Sequence, residues 1–548
     1  MRGALEEIRD PDSRCRRPSA PQRTVPLVAV EPPDPRSPAL AADAELTADA
    51  LAADSVTKNA GFAFGTQMTT AAITAGLTLF LGRALGPDDF GHYALALAIG
   101  SGAAFLADLG INAATPRFVA ERRGSRSAVA AVLGDSLRLK LLASVPVCLA
   151  LFVLAGPISQ VFDTPEAERP LRGISIAVFA HGVFLFVLGS FEALGRISVN
   201  LRIVASESVV EAGAIVVLVL LGGGAAGAAF GRAIGYAVGA GIALAFIWRV
   251  VGAPRTRGGS AGGGVGPRDI AQYAGALLII DGLFRLFREA DVLLIAALIG
   301  GGAPVGLFEL PMMLAWFLHY PVGAVSTAVA PRLARTADGR PPQVETFATA
   351  LRYMIAFQGI FLAPIVVWAE PIVVTLLGAE YRESAQVLRA LAPFVLLSGP
   401  AVLVSLGVNY LGEARRRIIL VIVVLLVNVV VDIVLIPEIG IVGGAVGTDL
   451  AYAIWVPAHL LIIQRLLALS LRPFALAFGR SIVAAAIASV PLVLLGTDVG
   501  ILLLLAGGAI ASIVYVGSLL LTGELSRSDL DLMRDVLGRR FPSLRPNG

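Results

Sequence analysis

The chain has 548 residues, of which 56% are hydrophobic and 15% charged, and its mean hydropathy is +0.80. This composition excludes a soluble globular protein and predicts an all-α polytopic membrane protein. The net charge of +3 does not indicate nucleic-acid binding, because topology distributes the charges in such a chain. Two cysteines, Cys15 in a polar segment and Cys148 in an apolar one, predict no disulfide framework.

The first segment, residues 1–55, is polar and rich in proline and arginine. It has neither the apolar core nor the cleavage site of a signal peptide. We therefore expect a disordered cytoplasmic tail. Both a solvated extension and a partner-binding arm fit this composition.

From residue 56 onward, apolar segments alternate with short polar loops. A helix needs about 20 apolar residues to cross the hydrocarbon core of a bilayer. By this measure the chain crosses the membrane about fourteen times. The predicted spans are 59–82, 90–112, 137–156, 171–194, 207–223, 229–248, 274–299, 308–330, 353–376, 387–410, 418–436, 446–464, 481–497 and 500–521.

Basic residues indicate the orientation of these spans. They concentrate in the even-numbered loops, as at Arg117, Arg122 and Arg415-Arg416-Arg417, and in the C-terminal tail. The odd-numbered loops carry few. Because basic residues favour the cytoplasmic side, both termini are predicted to be cytoplasmic in a multi-pass protein of the bacterial inner membrane.

The C-terminal tail also has a pattern. Ser528 has the character of a helix N-cap, and Leu530, Met533 and Leu537 recur at helical spacing before Arg539-Arg540. This predicts a short helix lying on the inner leaflet. A loose tail is the alternative.

An internal repeat organises the chain. Gly91 precedes Pro116-Arg117 by 25 residues, and Gly306 precedes Pro331-Arg332 by the same interval. Leu194-Gly195 pairs similarly with Leu411-Gly412. The offset of about 215 residues corresponds to six helices, so the two halves have the same orientation and are related by an axis along the membrane normal. Two such lobes would enclose a central cavity that rocking exposes to one side at a time.

The predicted organisation follows from the repeat and the spans. It comprises a disordered cytoplasmic tail (1–55), an N-terminal six-helix lobe (56–250), a cytoplasmic linker (251–273), a C-terminal six-helix lobe (274–470), two additional transmembrane helices (471–522) and a cytoplasmic tail with a short interfacial helix (523–548).

The seventh predicted span carries an unusual group of charges: Asp281, Arg285, Arg288, Glu289 and Asp291. At about 100° per residue they fall within an arc of roughly 160°. Each charge would cost about 2.5–3.5 kcal/mol at mid-bilayer. We therefore expect them to pair and to face a polar cavity between helices, as is typical of a transporter.

Several segments carry a family resemblance: Leu81 to Gly91, Asp108-Leu109-Gly110 with Pro116-Arg117, Arg288 to Asp291, Val305 to Phe308 and Ala330 to Leu333. They resemble the multidrug/oligosaccharidyl-lipid/polysaccharide exporter superfamily, and within it the polysaccharide-transport family of O-antigen-type flippases. The resemblance covers most of the chain after residue 56. It implies a V-shaped bundle of two parallel six-helix repeats plus two C-terminal helices. It also implies a protein that moves an undecaprenyl-pyrophosphate-linked oligosaccharide from the inner to the outer leaflet.

One difference within the superfamily bears on the substrate. Flippases of the peptidoglycan precursor are expected to carry charges within the first helix, whereas residues 59–82 contain none. We therefore favour a glycan repeat unit over the peptidoglycan precursor.

The implied substrate has an anionic head, and arginine suits a pyrophosphate because its planar fork donates bidentately and stays charged. We expect Arg285, Arg288 and Arg232 to contact this head. The alternative is a structural role, with Asp281 paired to Arg285, Arg285 to Glu289 and Arg288 to Asp291.

The carboxylates suggest a second role. Asp281, Glu289, Asp291 and Asp108 are candidates to exchange a coupling cation, H⁺ or Na⁺, that biases the inward–outward equilibrium. Structural pairing is again the alternative for each. On another span, Asn428 and Asp432 lie four residues apart and are predicted to bridge helices.

Enzyme motifs are missing from the sequence. It has no nucleotide-binding loop, no metal-ligand spacing of His, Cys and carboxylates, and no large outer loop for a polymerase or transferase site. We expect a transporter without cofactor or metal whose partners are the polyprenyl-linked glycan, membrane lipids, glycan polymerase and export machinery. A cation-coupled multidrug or small-molecule antiporter is the alternative function.

Overall fold

A computed structural model of the protein describes residues 56–252, 267–333 and 343–526. Within these ranges the regular elements are helices. The α-helices are α1 (Val56–Asp108), α2 (Ile111–Glu121), α3 (Arg126–Val153), α4 (Ala155–Val161), α5 (Glu168–Ala193), α6 (Ile197–Leu218), α7 (Gly224–Val251), α8 (Pro267–Leu298), α9 (Ala303–Phe317), α10 (Tyr320–Val329), α11 (Val344–Gly359), α12 (Leu362–Leu377), α13 (Ser384–Ala390), α14 (Ala392–Tyr410), α15 (Ala414–Ile439), α16 (Val442–Leu467), α17 (Arg472–Leu495) and α18 (Ile501–Leu521). The predicted N-terminal tail, most of the linker and the predicted helix from Ser528 lie outside the described residues.

Ten helical stretches in the described ranges are long and apolar enough to cross a membrane. This confirms the predicted all-α polytopic fold class. One stretch, 197–251, has 55 residues, and at 1.5 Å per residue its length of about 80 Å exceeds two hydrocarbon cores. Positive φ angles at Gly222 and Gly224 interrupt it, and α7 packs back along α6. The count of about fourteen spans stays a prediction.

Helix α1 contains the first predicted span and most of the second, and ends at Asp108. It bends at Gly86, whose φ of 70° is a left-handed conformation that favours glycine. Pro87 follows the bend and opens the second half. The bend lets the second half pack along α9, which builds one wall of the cavity described below.

Two helix ends have the same geometry in the two halves of the chain. Gly195 after α5 and Gly412 after α14 have φ angles of 74° and 82°. The next residue, Arg196 or Glu413, donates its N–H back to a helix carbonyl at 2.9 or 3.2 Å. Both are glycine-terminated helix ends, as the repeat predicts, whereas the predicted lobe boundaries stay a prediction.

The last two helices pack against α11 and α12. The Tyr515 hydroxyl donates to the carbonyl of Ala356 at 2.9 Å. Beyond α18, the buried carboxylate of Glu524 accepts from Arg352 and Arg480, each at 2.8 Å. The bonds to Ala356 and Arg352 join the C-terminal helix pair to α11 of the predicted C-terminal lobe (274–470), and the bond from Arg480 of α17 ties the end of α18 to its neighbour.

Candidate functional site: a central cavity and a buried carboxyl cluster

A cavity of about 400 Å³ lies between α1, α7, α8, α9 and α10. Its described lining is mostly aromatic and aliphatic, with Tyr93 and Trp316 among the aromatic residues. Charged side chains also line it: Arg232, Arg288, Glu289 and Glu309. It is therefore an apolar cavity with a few convergent charges, the usual form of a ligand site.

Arg232 reaches the cavity from α7. Its Nε atom is 2.8 Å from Oε1 of Glu211 on α6, and its guanidinium lies 5.7 Å from the ring centre of Tyr93. Gly235 allows this contact, because a Cβ there would be only 2.5 Å from the Cβ of Glu211. Close packing of α7 on α6 thus fixes the guanidinium at the cavity wall.

Arg288 reaches the same cavity from α8. Its guanidinium lies 6.0 Å from the ring centre of Trp316, within the range of a cation–π contact. Its partner is Glu289, at 3.5 Å, and not Asp291 as the structural alternative predicts. The side chain is 59% exposed and therefore accessible within the cavity.

Asp291 lies nearly one turn further along α8 and is buried. It accepts hydrogen bonds from Asn428 Nδ2 of α15 at 2.9 Å and from Thr448 Oγ1 of α16 at 2.5 Å. The carboxyl group of Asp432, also on α15, lies close to that of Asp291. The prediction that Asn428 bridges helices is confirmed. We call Asp291, Asn428, Asp432 and Thr448 the carboxyl cluster.

The carboxyl cluster has unused acceptor capacity. Two carboxylates in contact cannot both ionise without a counter-charge. Among the described residues, neither oxygen of Asp432 nor Oδ1 of Asn428 has a hydrogen-bond partner, and both side chains are fully buried. Gly447 makes room for this arrangement, because a Cβ there would overlap Oδ1 of Asp432. A group of converging oxygen atoms suits a hard cation.

The other predicted site residues lie elsewhere. Asp108 is 2.5 Å from Nζ of Lys140 and therefore has a resident cationic partner. Arg285 is exposed on α8, and the described cavity lining does not include it. The side chain of Asp281 lies outside the described residues.

Two residues were missed by the sequence analysis. Lys140, 1% exposed, is one of only two lysines in the chain and lies in an apolar span. A lysine in such a span indicates a buried charge with a polar partner. Glu309 is an isolated acid in the eighth predicted span and lines the cavity beside Arg288. An isolated charge in an apolar span indicates a polar partner or a cavity.

Comparison with known proteins gives matches in sequence and in structure. Residues 56–337, just over half of the chain, match the family described as polysaccharide biosynthesis protein. An uncharacterised membrane protein of Methanocaldococcus jannaschii is 23% identical over 180 residues. That match covers 33% of this chain and 42% of the relative, so the chain matches less than half of the curated relative's length.

Solved structures resemble the chain over most of its length. The lipid II flippase MurJ in an inward closed conformation has a TM-score of 0.67 and 13% identity, covering 84% of this chain and 98% of that one. A multidrug resistance MATE family transporter of the MOP superfamily, inward-facing, has a TM-score of 0.55 and 17% identity, with 78% and 99% covered. The outward-facing form of such a transporter gives 0.55 and 19%, with 77% and 99% covered. These similarities show the fold.

Proposed function

The chain belongs to the polysaccharide biosynthesis protein family, within the multidrug/oligosaccharidyl-lipid/polysaccharide exporter superfamily, and on that premise we propose that it flips a polyprenyl-pyrophosphate-linked oligosaccharide across the inner membrane by alternating access. The family is one of transporters and flippases. The proposed substrate is the repeat unit of an exported polysaccharide.

The observation that carries this proposal is the convergence of Arg232 and Arg288 on one cavity from two different helices. A pyrophosphate bridges two planar guanidinium groups well, since each has five N–H donors in a fixed fork. Glu211 engages Arg232 at Nε, and Trp316 supports Arg288 through its ring face. Both guanidinium groups are thus held in place before the substrate arrives, which reduces the entropy lost on binding.

Because the proposed substrate is amphiphilic, its two parts would lie in different environments. The charged head would occupy the cavity, where its charges meet arginine and not hydrocarbon. The polyprenyl chain would remain in the lipid. In the predicted topology the head enters from the cytoplasmic side and leaves on the other, with glycan polymerase and export machinery as downstream partners.

The carboxyl cluster is the proposed site of coupling, with Na⁺ as the ion. A proton shared between Asp291 and Asp432 would satisfy only that contact, whereas Na⁺ would also use Oδ1 of Asn428. Helix α8 links the two sites, because Asp291 and Arg288 are three residues apart on the same helix. Ion binding that shifts α8 against α15 and α16 would therefore also move Arg288.

The competing function is a cation-coupled multidrug or small-molecule antiporter. Glu289 and Glu309 in the cavity favour it, because an organic cation would be attracted to them. The two convergent arginines oppose it. Altered susceptibility to organic cations with intact surface glycan would select this alternative.

Leaflet-resolved labelling of lipid-linked glycan in a deletion strain tests the flippase. We expect inner-leaflet accumulation that wild type relieves and Arg232→Ala/Arg288→Ala does not. The matched control is Arg382→Ala, since Arg382 lies in an exposed pair with Glu370 at 3.2 Å and is not in the described cavity lining. If the double variant relieves the accumulation, the two arginines are not part of the substrate path. The absence of accumulation would contradict the flippase.

A further inference from the structure

One carboxylate on the cavity wall has no cationic partner. Glu309 lies on the face of α9 that also brings Met312 and Trp316 to the cavity, three and seven residues further along the helix. Its side chain is partly exposed. Among the described residues no hydrogen bond or ion pair engages its carboxylate, although the charges of Arg288 and Glu289 act on it. Glu309 is therefore a free hydrogen-bond acceptor in the proposed substrate cavity.

The charge balance of the cavity does not suit an anionic head alone. The charged side chains of the described lining are two arginines and two glutamates, so their charges cancel: Arg232, Arg288, Glu289 and Glu309. Glu211, 2.8 Å from Arg232, adds one negative charge directly behind the lining. His319 also lines the cavity, packed against the ring of Trp316, and is counted as neutral. The lining and this carboxylate together are thus acidic by one charge.

Other charged groups near the cavity do not reverse this balance. Glu207 is buried where α6 packs on α7 and is not part of the described lining. Asp291 is a further acid whose charge acts on Glu309, whereas Arg285 acts on Glu289 and offsets one of these carboxylates. A bound pyrophosphate would add more negative charge. Glu309 would then lack a counter-charge unless the substrate itself carries one.

Aromatic side chains lie at the level of the cavity where Glu309 is found. Helices α1 and α9 cross at Gly91 and Gly306. Glu309 follows the second glycine by three residues, and Phe90 and Tyr93 lie on either side of the first and line the cavity. The hydroxyl of Tyr93 is buried and has no hydrogen-bond partner among the described residues.

This combination of groups favours one kind of cation. A carboxylate among aromatic rings suits an organic ammonium group, and a free phenolic hydroxyl can bond to a sugar hydroxyl. Mg²⁺ is less suitable, because it needs an octahedral shell of oxygen atoms and keeps several waters. The described lining near Glu309 instead includes apolar Phe90 and Met312.

We propose that the sugar next to the pyrophosphate carries a free amine, and that Glu309 binds this ammonium group while Arg232 and Arg288 bind the pyrophosphate. This deepens the proposed flippase function and rests on it. The charge of Arg288 acts on Glu309, so the two binding positions are near each other in the cavity. A head with both charges matches the mixed charge of the lining, which accounts for the acidic residues in a cavity that takes a pyrophosphate.

Transport of two matched probes tests the proposal. Both are polyprenyl-pyrophosphate disaccharides with a terminal galactose, and the inner sugar is glucosamine in one and N-acetylglucosamine in the other. Each is supplied in the outer leaflet of vesicles that contain the full chain, at about pH 6, where the amine is protonated. Galactose oxidase added outside reports the probe that has not been flipped. We expect wild type to flip the amine probe about tenfold faster, as one charge-assisted hydrogen bond allows.

Variants at Glu309 separate charge from size. Glu309→Gln should slow the amine probe to about the rate of the acetylated probe, whereas Glu309→Asp keeps the charge and should keep the preference. The matched control is Glu438→Gln, at an exposed position near the end of α15, which should change neither rate. If Glu309→Gln does not fold, the two rates of wild type decide.

Three results would overturn the proposal and leave the flippase intact. The first is equal rates for the two probes with wild type. The second is a preference that survives in Glu309→Gln, because it would reflect the size of the acetyl group. The third is a Mg²⁺ dependence of the acetylated probe that Glu309→Gln removes, because the carboxylate would then bind a metal. If folded wild type flips neither probe, the proposed function itself fails.

Discussion

Gly91 of α1 and Gly306 of α9 pack against each other's helix at the point where the two helices cross. A Cβ on Gly91 would overlap the carbonyl of Gly302, and a Cβ on Gly306 would overlap the carbonyl of Pro87. Each glycine thus contacts the residue four positions before the other glycine, and the two glycines are 215 residues apart. Reciprocal contacts of this kind are what a two-fold axis between duplicated halves predicts.

Gly91→Ala should therefore disturb the crossing. The added methyl group meets backbone and not a flexible side chain, so α1 and α9 must separate. We expect a large loss of transport and a lower disulfide yield between cysteines placed at Asp88 and Ala303. Gly76→Ala on the same helix is the control, because a Cβ there meets nothing within 4 Å. Equal effects of both variants would contradict the packing argument.

Two charges beside this crossing contact helix ends of opposite polarity. Oδ1 of Asp88 accepts from the N–H of Ala303 at the start of α9, at 3.0 Å. Arg83 donates to the carbonyls of Leu376 and Thr375 at the end of α12, at 2.9 and 2.5 Å. Both charges have the sign that the helix dipole favours.

Asp88→Ala should weaken this contact by about 0.5–2 kcal/mol, the usual cost of a lost helix cap. The equilibrium should shift toward the state in which α1 and α9 separate. An impermeant thiol reagent applied from the periplasm should then label a cysteine at the cavity residue Thr78 faster. The control is Asp498→Ala, at an exposed loop position, which should leave the labelling rate unchanged. If Asp88→Ala also leaves the labelling rate unchanged, the contact between Asp88 and Ala303 does not hold the cavity closed.

The pair of Asp108 and Lys140 should matter for stability. Lys140 is 1% exposed, so Asp108→Asn leaves a buried ammonium without its charged partner. We expect a loss of about 3–5 kcal/mol in the free energy of unfolding, seen as a lower melting temperature. Glu370→Gln, which breaks an exposed pair with Arg382, should cost less than about 1 kcal/mol. An equally small loss of unfolding free energy in Asp108→Asn would show that the pair is not needed for stability.

Asp291→Asn should abolish the coupling of transport to Na⁺ without affecting folding. The amide keeps the size of the side chain and removes one of the two adjacent carboxyl groups, so the carboxyl cluster loses an anionic ligand and binds Na⁺ more weakly. We expect transport that no longer responds to a Na⁺ gradient, with little change in melting temperature. Glu380→Gln, away from the carboxyl cluster and the cavity, is a control that should keep the response. A Na⁺ response retained in Asp291→Asn would exclude this site as the coupling site.

The sequence was informative about pattern but not about helix rotation. The charges of α8 were predicted to face one polar cavity between helices, yet Arg288 lines the cavity while Asp291, about 60° around the helix, contacts α15 and α16. Periodicity cannot decide this, because the partners of Asp291 lie 137 and 157 residues further along the chain. Only the packing of distant helices determines which side of α8 each charge uses.

The repeat was accessible from sequence because its glycines are required by close backbone contacts. Gly91 and Gly306 tolerate no side chain, so their spacing persists where other residues differ. The polar residues of the two halves have diverged, as at Arg232 and Thr448. Arg232 and Thr448 directly follow Gly231 and Gly447, which the sequence repeat aligns and which each pack closely on the preceding helix.

Reconstitution tests the central claim most directly. The full chain in vesicles would be supplied with a polyprenyl-pyrophosphate oligosaccharide in the outer leaflet only, and an impermeant glycan label would report its disappearance over time. We predict Na⁺-gradient-dependent loss of labelling with wild type and with Arg382→Ala, and none with Arg232→Ala/Arg288→Ala. Labelling that stays constant with folded wild-type protein would contradict a flippase of this substrate class.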